Sequence, residues 1–235
     1  IEIPSLYLNL MLPVGISFYT FQSMCYTIDV YQKKIEPVRS ILEFGTFTLF
    51  FPSLVAGPIT KAQQLIPQLQ RTPALTSEMV STGTFLILKG LTKKILFADF
   101  LALNLVDRTF DNPAAFTSVE MLIGLYGYTL QIYCDFSGYT DVARGSAMLL
   151  GIELPQNFNR PYMATSPAQF WRRWHMTLSS WLRNYVYFPL GGSHGSTVRT
   201  YWNLWLTFFL IGFWHGAGWT FVIYGVIHGT AMVLH

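Results

Sequence analysis

Charged side chains are scarce in this sequence of 235 residues. Asp, Glu, Lys and Arg together make up 11% of the chain, against roughly 25% in a typical soluble domain. Hydrophobic residues make up 51% and aromatic residues 17%, and the apolar residues run in long blocks. This composition argues against an ordinary soluble domain. It predicts an all-α fold, namely a polytopic membrane helix bundle.

The excess of positive charge is small and is not gathered into a patch. The formal net charge is +3 at pH 7, and the cations lie in short junctions between apolar blocks, such as Lys33 with Lys34 and Lys93 with Lys94. A nucleic-acid-binding surface needs its cations on one solvated face, so we expect no nucleic acid partner. Cations in junctions are typical of residues that set membrane topology. The expected surroundings are therefore membrane lipid.

Several motifs of catalysis and ligand binding are absent from the sequence. The two cysteines, Cys25 and Cys134, lie in separate apolar stretches without a Cys-x-x-Cys pattern, which favours buried thiols over a disulfide and predicts no metal site. There is no Gly-x-Ser-x-Gly motif to support a serine hydrolase. The glycine-rich loop at His194 lacks the Walker lysine spacing, so His194 is predicted to be exposed. No tightly bound cofactor is expected.

Polar junctions divide the chain into apolar blocks. The blocks cover residues 4–31, 41–57, 78–106, 119–150 and 201–235. Pro13 and Gly15 predict a kink in the first block, and Gly216 and Gly218 predict a break in the last one. The lysine pair in the third block either ends a span or lies within it. The segment 107–113 reads as a loop.

The segment 155–195 differs from these blocks because aromatic residues, arginines and prolines alternate along it. It contains no unbroken stretch of 18 apolar residues, so a re-entrant or interfacial helix is expected. The chain shows no internal repeat, does not begin with Met and stops within an apolar run. We expect one membrane domain over residues 1–235, a piece of a longer protein with spans missing at both ends.

His215 lies in the apolar sequence Phe-Trp-His-Gly. An ionisable group at membrane depth is a functional-site hypothesis by default, and histidine exchanges a proton near neutral pH. Trp214 and Trp219 would provide an apolar wall that keeps the imidazole neutral, as a general base requires. Gly216 would let a neighbouring backbone or a substrate come close. The alternative is a core histidine bonded to a backbone carbonyl.

His175 is the second candidate. If its surroundings form one helix, then Trp171, Arg172 and Ser179 share a face with it. This face would present a cation, an imidazole and a hydroxyl, which suits orienting a carbonyl or binding an anionic group. The alternative is an interfacial amphipathic helix whose residues Arg172 and Arg173 meet lipid phosphates.

Three further polar positions are weaker candidates. Asp135 and Asp141 interrupt the 119–150 block as a catalytic dyad, an ion site or a helix break. Capping, together with pairing to Arg144 or another arginine, is the favoured interpretation. His228 lies 13 residues after His215, which on one continuous helix places it on the other side. It is predicted to be a structural contact.

These residues resemble the membrane-bound O-acyltransferase family. The resemblance is carried by residues 13–22, 28–31, 51–58, 171–175 and 214–216. Residues 154–159, 185–192 and 219–221 are similar to its bacterial alginate O-acetyltransferase branch, and the likeness covers nearly the whole chain. One departure is Asn184, which stands where the common Trp-Leu-Arg-Asp pattern has Asp. It weakens any role for a carboxylate there.

The resemblance implies a helix bundle around a central funnel in the bacterial inner membrane, crossed by multiple passes. An acyl group would pass from a cytoplasmic thioester, acetyl-CoA or a similar donor, to a hydroxyl acceptor across the membrane. The acceptor would be an exopolysaccharide such as alginate, or a periplasmic acetyltransferase partner. The family's essential histidine falls on His215, as the base, and its second polar position on His175, which would position the acyl carbonyl or share the proton.

The substrate-binding residues predicted around the two histidines are Arg172, Arg173, Trp174, Ser179, Trp214 and Asp135. Three other functions stay open. One is a transporter in which Asp135, Asp141 and the histidines form a proton relay. Another is a non-catalytic membrane subunit of a polysaccharide export complex. The third is D-alanyl transfer to teichoic acid within the same family, against which the stretch 189–192 argues.

Overall fold

The computed structural model describes residues 15–235, and within this range the chain is helical without any strand. The α-helices are α1 Ile16–Tyr31, α2 Ile41–Thr48, α3 Phe51–Leu54, α4 Ala62–Gln70, α5 Ser77–Leu91, α6 Asp107–Asp111, α7 Ser118–Met148, α8 Pro167–Trp171, α9 Met176–Leu182, α10 Thr197–His215 and α11 Trp219–Leu234. Helical turns of the π type cover Thr92–Asp99, Ala102–Val106 and Arg183–Tyr187, and 3₁₀ turns cover Pro113–Ala115 and Pro161–Met163. The all-α prediction is confirmed.

The helices range from 4 residues in α3 to 31 residues in α7. In the described part of the chain, no helix is both long enough and apolar enough to cross a membrane. The predicted polytopic arrangement therefore stays a prediction. Pro13, predicted to kink the first apolar block, lies outside the described residues. Helix α1 begins directly after Gly15, whose φ is 78°.

Short polar side chains fix where several helices begin. Ser40, Thr76, Thr117, Ser166 and Ser196 each accept a hydrogen bond from a backbone N–H in the first turn of the following helix. Such caps satisfy donors that have no partner inside the helix. At the start of α7 the bond is reciprocal, because the backbone N–H of Thr117 also donates to Glu120 Oε2 over 2.8 Å. This is a capping box.

The predicted loop over 107–113 is largely wrong. Residues Asp107–Asp111 are helical and continue directly from the π-helical turn before them. The helix ends at Asn112 because Pro113 follows, and a proline disfavours helical dihedrals in the residue before it. The chain then turns into α7.

Helices α5 and α7 pack closely through glycines. A Cβ atom added at Gly90 would lie 2.5 Å from the carbonyl oxygen of Gly138, and one added at Gly145 would lie 2.5 Å from that of Gly83. Gly83 and Gly90 are seven residues apart on α5, close to two helical turns, and so are Gly138 and Gly145 on α7. Because the first glycine of each helix faces the second of the other, the helices run antiparallel with their backbones in contact. Only glycine permits this approach.

The lysines of the third block reach across this interface. Lys89 and Lys93 both pair with Asp141 Oδ2, at 3.1 and 2.7 Å. The helix does not end at the lysine pair, because the chain continues through it as a π-helical turn. Lys94 pairs with Asp135 over 2.5 Å.

The carboxylates of α7 therefore do not break their helix. Helix α7 is continuous through Asp135 and Asp141, so the predicted helix break with capping is wrong. The predicted pairing with Arg144 or another arginine is wrong as well, since both carboxylates pair with lysines and Arg144 Nε donates to the carbonyl of Leu154 over 3.4 Å. The partners come from the neighbouring helix, which sequence spacing along α7 does not show.

A buried core joins α1, α2, α9 and α10. The rings of Phe21 and Trp181 lie 4.5 Å apart, and Trp181 Nε1–H donates to the carbonyl of Phe21 over 3.1 Å. Cys25 is fully buried in this core, and both cysteines are free thiols, as predicted. Helices α10 and α11 form a hairpin that turns at residues 216–218, so the predicted break in the last block is confirmed.

Candidate active site

The helix predicted through His175 is broken at His175 itself. Its backbone adopts the left-handed conformation, with φ 42° and ψ 53°, between α8 and α9, which costs about 1–2 kcal/mol for such a residue. The cause is a neighbouring segment: Asn159 N–H donates to the carbonyl of Arg173, and Met176 N–H donates to that of Asn157, each over 2.9 Å. These bonds replace helical ones. The predicted common helical face of residues 171, 172, 175 and 179 is therefore wrong.

Asn157 determines which nitrogen of the neutral His175 ring carries the proton. Its Oδ1 atom accepts from the backbone N–H and the hydroxyl of Thr177, over 3.2 and 3.0 Å. Because a backbone N–H only donates, this atom is the amide oxygen. His175 Nδ1 lies 3.2 Å from the same oxygen and must therefore carry a proton. The Nε2 atom of a neutral His175 is then a lone-pair acceptor.

His175 is held in an apolar surrounding. Its side chain is 3% exposed, and its ring meets that of Phe136 edge-on at 4.7 Å. Burial lowers the pKa of His175 to about 3, because removal from water disfavours the charged imidazolium. The Nε2 atom has no hydrogen-bond partner among residues 15–235. A neutral imidazole with an open lone pair is the form that accepts a proton.

His215 is the last residue of α10. Its Nδ1 lies 2.7 Å from the carbonyl oxygen of Ile211, and since a carbonyl only accepts, Nδ1–H is the donor. Nε2 therefore holds the lone pair of the neutral ring. The bond to a carbonyl matches the structural alternative for this residue, but the side chain is exposed and does not belong to a core. The geometry leaves Nε2 available for chemistry.

Aromatic rings connect the two histidines. The ring of Trp214 lies 4.6 Å from that of His215 and 6.5 Å from that of His175. Phe221 also stacks on the His215 ring, at 6.2 Å, whereas Trp219 of the predicted apolar wall is 81% exposed. A Cβ atom at Gly216 would lie 2.5 Å from that phenyl ring, so the close neighbour at Gly216 is an aromatic side chain and not the predicted backbone or substrate.

His228 belongs to the same cluster, contrary to the prediction that it lies on the other side from His215. The chain reverses between α10 and α11, and Tyr224 then lies between the two histidines, its ring 5.5 Å from His215 and 4.3 Å from His228. His228 also meets Trp171 at 5.2 Å. The spacing of residues 221, 224 and 228 on α11 is a helical-face signal that could have shown this.

A cavity of about 550 Å³ lies between α4, α8, α9 and α10. The histidines do not line it, but Trp171, which contacts His228, and Ile211, whose carbonyl accepts from His215, do. Its apolar lining includes Trp171, Phe208 and Ile211, and its polar lining includes Lys61, Gln64, Arg172, Ser179 and Arg183. Trp171 Nε1 and Ser179 Oγ are buried without a hydrogen-bond partner in the described chain. Arg172 and Ser179 thus face one cavity, as their predicted role in substrate binding requires, although no common helix brings them there.

The other predicted site residues lie elsewhere. Arg173 lines a different cavity from its neighbour Arg172. Trp174 packs in an aromatic cluster, stacked on Phe170 at 5.6 Å. Asp135 is half exposed and paired with Lys94, which does not match its predicted role in binding substrate.

The proton relay of the transporter alternative is not assembled. Within residues 15–235, no carboxylate lies at salt-bridge distance from any histidine. Asp135 and Asp141 are paired with lysines of the neighbouring helical segment instead. His194 is exposed, as predicted. Asn184 donates to Ser180 Oγ over 3.4 Å.

Asn157 lies within residues 154–159, which resemble the alginate O-acetyltransferase branch, but nothing in the sequence singles it out as a site residue. It follows Pro155 and Gln156 in a segment without helical or strand periodicity. Only the path of the chain places its amide against His175, 18 residues further on.

The chain matches known proteins over nearly its whole length. The sequence model of MBOAT, the membrane-bound O-acyltransferase family, matches residues 37–235. The chain belongs to this family. It is 42% identical over 234 residues to "Probable alginate O-acetylase AlgI" of Azotobacter vinelandii, with 98% of the chain and 46% of that relative covered.

Two further relatives are more distant. The chain is 38% identical over 254 residues to "Peptidoglycan O-acetyltransferase" of Helicobacter pylori, covering 97% of the chain and 48% of the relative. It is 28% identical over 240 residues to "Teichoic acid D-alanyltransferase" of Bacillus subtilis, covering 97% and 60%. The chain spans about half the length of the curated relatives it matches.

Proposed function

We propose that this chain carries the catalytic histidines of an O-acyltransferase that acetylates a hydroxyl acceptor. The observation that carries the proposal is the pair of rings at His175 and His215, each with Nδ1–H bonded to an acceptor and Nε2 open. Two such lone pairs separated by one Trp ring suit proton transfer from a hydroxyl. Membership of the acyltransferase family supports this chemistry.

The proposed reaction begins at His215. Its Nε2 takes the proton of the acceptor hydroxyl while the hydroxyl oxygen attacks the carbonyl carbon of a thioester. The new C–O bond forms, the C–S bond breaks, and the leaving thiolate takes the proton back from the imidazolium. General-base catalysis of this kind contributes about 10²- to 10⁴-fold in rate.

Two roles are predicted for His175, positioning the acyl carbonyl or sharing the proton of the acceptor. Because Nδ1–H is already donated to Asn157, a neutral His175 presents only a lone pair at Nε2. A lone pair accepts a hydrogen bond from a hydroxyl but gives none to an acyl carbonyl. The geometry therefore favours sharing the acceptor's proton over polarising the carbonyl.

The cavity beside the histidines is the proposed site of the thioester donor, acetyl-CoA or a similar molecule. Lys61, Arg172 and Arg183 provide cations for the donor's anionic part. Trp171 and Phe208 form apolar walls near the reacting end. Such walls keep water away from a thioester, which would otherwise hydrolyse.

The acceptor is proposed to be a bacterial exopolysaccharide of the alginate type, or a periplasmic acetyltransferase partner that passes the acetyl group on. The relatives named as alginate O-acetylases are 42% identical to the chain, against 28% for the teichoic acid D-alanyltransferase, which favours acetyl over D-alanyl transfer. The proposed location is the bacterial inner membrane, with multiple passes in the full-length protein.

The first experiment measures acetyl transfer by the full-length protein in membrane vesicles with labelled acetyl donor. His215→Ala is expected to lower the rate at least 100-fold, and His175→Ala to lower it less. His194→Ala is the matched control, because His194 is an exposed histidine outside the cluster. Expression and chromatographic behaviour are compared for all variants.

The outcomes separate the competing functions. Full transfer by folded His215→Ala would contradict the proposed mechanism. A transporter predicts ion-dependent flux without acetylated product, and a non-catalytic subunit predicts that His215→Ala changes assembly of a complex. D-alanyl transfer predicts that labelled D-alanine, and not acetyl, reaches the acceptor.

A further inference from the structure

A second cavity, of about 650 Å³, adjoins Asn157 and is strongly cationic. Its lining contains Lys89, Lys93, Arg144, Arg160 and Arg173. The lining has one carboxylate, that of Asp141. Five cations against one carboxylate leave four positive charges around a single cavity. Like charges repel, so an arrangement of this kind is unfavourable unless an anion joins it.

The arginines of this cavity keep their capacity to bind an anion. Asp141 is already shared by Lys89 and Lys93. In the described chain, Arg144, Arg160 and Arg173 pair with no carboxylate. A guanidinium presents five N–H donors in a planar fork that matches carboxylate or phosphate oxygens. Three such forks face one volume without an ionic partner.

Asn157 adds a buried donor at the same place. Its side chain is 1% exposed, and its Nδ2 atom has no hydrogen-bond partner in the described part of the chain. A buried amide without a hydrogen-bond partner is unfavourable. Because its Oδ1 atom holds His175 and Thr177, only the N–H₂ end remains to bind a ligand, and it requires an acceptor.

The backbone at Arg160 is strained. Its φ is 47°, a left-handed value that is uncommon outside glycine and asparagine. The proline that follows further restricts this residue. Strain of this kind clusters at functional sites, and the only other described residue between 155 and 180 with such a value, apart from glycine, is His175.

We propose that this cavity binds a phosphate-bearing ligand. A phosphate carries up to two negative charges and three acceptor oxygens, so it neutralises four cations better than the single charge of one carboxylate. Multiple Arg forks and an amide N–H₂ match that acceptor-rich group. The phosphate comes either from a soluble molecule or from a lipid headgroup. The inference goes beyond the proposed function, which places the thioester donor in the other cavity and requires no ligand in this one.

The test is made on the full-length protein purified in dodecyl maltoside, a detergent without phosphate. Binding of labelled inorganic pyrophosphate is measured by equilibrium dialysis at low salt. Arg160→Gln and Arg173→Gln are each expected to raise the Kd at least tenfold. Arg71→Gln is the control, since Arg71 is exposed and lies outside the cavity, and it is expected to leave the Kd unchanged.

A second measurement distinguishes the sources of phosphate. Phosphorus analysis reports phospholipid retained by each purified variant. Phospholipid kept by wild type and Arg71→Gln but lost from Arg160→Gln and Arg173→Gln assigns the site to a lipid headgroup. Saturable pyrophosphate binding without retained lipid assigns it to a soluble phosphate.

The proposal is overturned if wild type shows neither saturable pyrophosphate binding nor retained phospholipid. It is also overturned if the two cavity variants behave like Arg71→Gln. Circular dichroism and gel filtration are used to check that Arg160→Gln, which changes an exposed residue, is folded. Because binding is measured without turnover, its outcome is independent of whether His215 performs acetyl transfer.

Discussion

The α5–α7 pair and the segment 157–228 treat buried polar groups in opposite ways. Between α5 and α7, lysines meet carboxylates across a glycine contact, and a single buried side-chain atom there, Gln131 Oε1, has no described partner. Between residues 157 and 179, four buried atoms have none; they belong to Asn157, Trp171, His175 and Ser179. Each unsatisfied group costs about 1–3 kcal/mol. The α5–α7 contact therefore stabilises the fold. Residues 157–179 lower its stability, because their buried polar atoms lack hydrogen-bond partners within the described chain.

The largest effect is expected where the first region is most tightly packed. Gly145→Ala places a Cβ atom 2.5 Å from the backbone oxygen of Gly83, so the helices must separate. Overpacking of this kind lowers the free energy of unfolding by about 1–3 kcal/mol. Gly45→Ala is the matched control, because a Cβ atom there meets nothing within 4 Å.

The measurement for this pair is thermal unfolding in detergent. Gly45→Ala is expected to be neutral or slightly stabilising, since alanine is the better helix former by about 1 kcal/mol. Equal unfolding temperatures for the two variants would show that the α5–α7 contact does not limit stability. The close glycine contact would then not be what makes the α5–α7 region the more stable of the two.

The second region is tested at Asn157. Asn157→Ala removes the acceptor that holds His175 Nδ1–H, so the ring can change tautomer and orientation. A loss of about 1–3 kcal/mol in positioning corresponds to a rate roughly 10- to 100-fold lower in acetyl transfer. Asn157→Asp keeps an acceptor oxygen and is expected to retain more activity.

The pH profile separates positioning from a general loss of structure. A carboxylate at position 157 favours the charged imidazolium and raises the pKa of His175. The acidic limb of the activity profile should therefore move to higher pH in Asn157→Asp. Identical rates and profiles for the Ala and Asp variants would argue that Asn157 merely fills space.

Local signals in the sequence predict several features of residues 157–228, but they do not predict how these residues are brought together. The hairpin turn at residues 216–218 follows from glycines, and His175 and His215 stand out as ionisable groups in apolar surroundings. The place of His228 does not follow, because it depends on α11 folding back along α10. Asn157 reaches His175 through a bond between residues 18 positions apart. Periodicity reports one element at a time and contains no such distances.

The same limit applies to the first region. The spacing of Asp141 and Arg144 on one helix favoured a local pair, whereas the partner found is Lys93, 48 residues away. The lysines of α5 and of the turn after it neutralise both carboxylates within the continuous helix α7. Tertiary contacts here override a correct local rule.

The buried state of His175 predicts a pH dependence of stability. The pKa of His175 is lowered to about 3 in the folded chain, against about 6.5 when unfolded. Between these values the unfolded chain binds a proton that the folded chain does not, so stability falls as the pH falls below 6.5. The contribution is at most about 1.4 kcal/mol per pH unit.

His175→Asn isolates this contribution, because asparagine tolerates the left-handed backbone found there. Unfolding is measured at pH 6.5 and 5.5 for both proteins, and the wild type should lose more stability across that interval. Parallel pH dependences would mean that the pKa of His175 is not lowered in the folded chain, which would contradict a neutral acceptor at low pH.

The smallest effect is expected at Asp135, which was predicted to bind substrate. Its carboxylate pairs with Lys94, and both side chains are about half exposed, at 50% and 47%. Exposed ion pairs contribute about 0–1 kcal/mol, so Asp135→Asn should change the unfolding temperature little and leave acetyl transfer unchanged. Lys94→Met should behave in the same way. A KM for the donor that rises severalfold in Asp135→Asn but not in Lys94→Met would return Asp135 to the binding site, and the functional region would then extend onto α7.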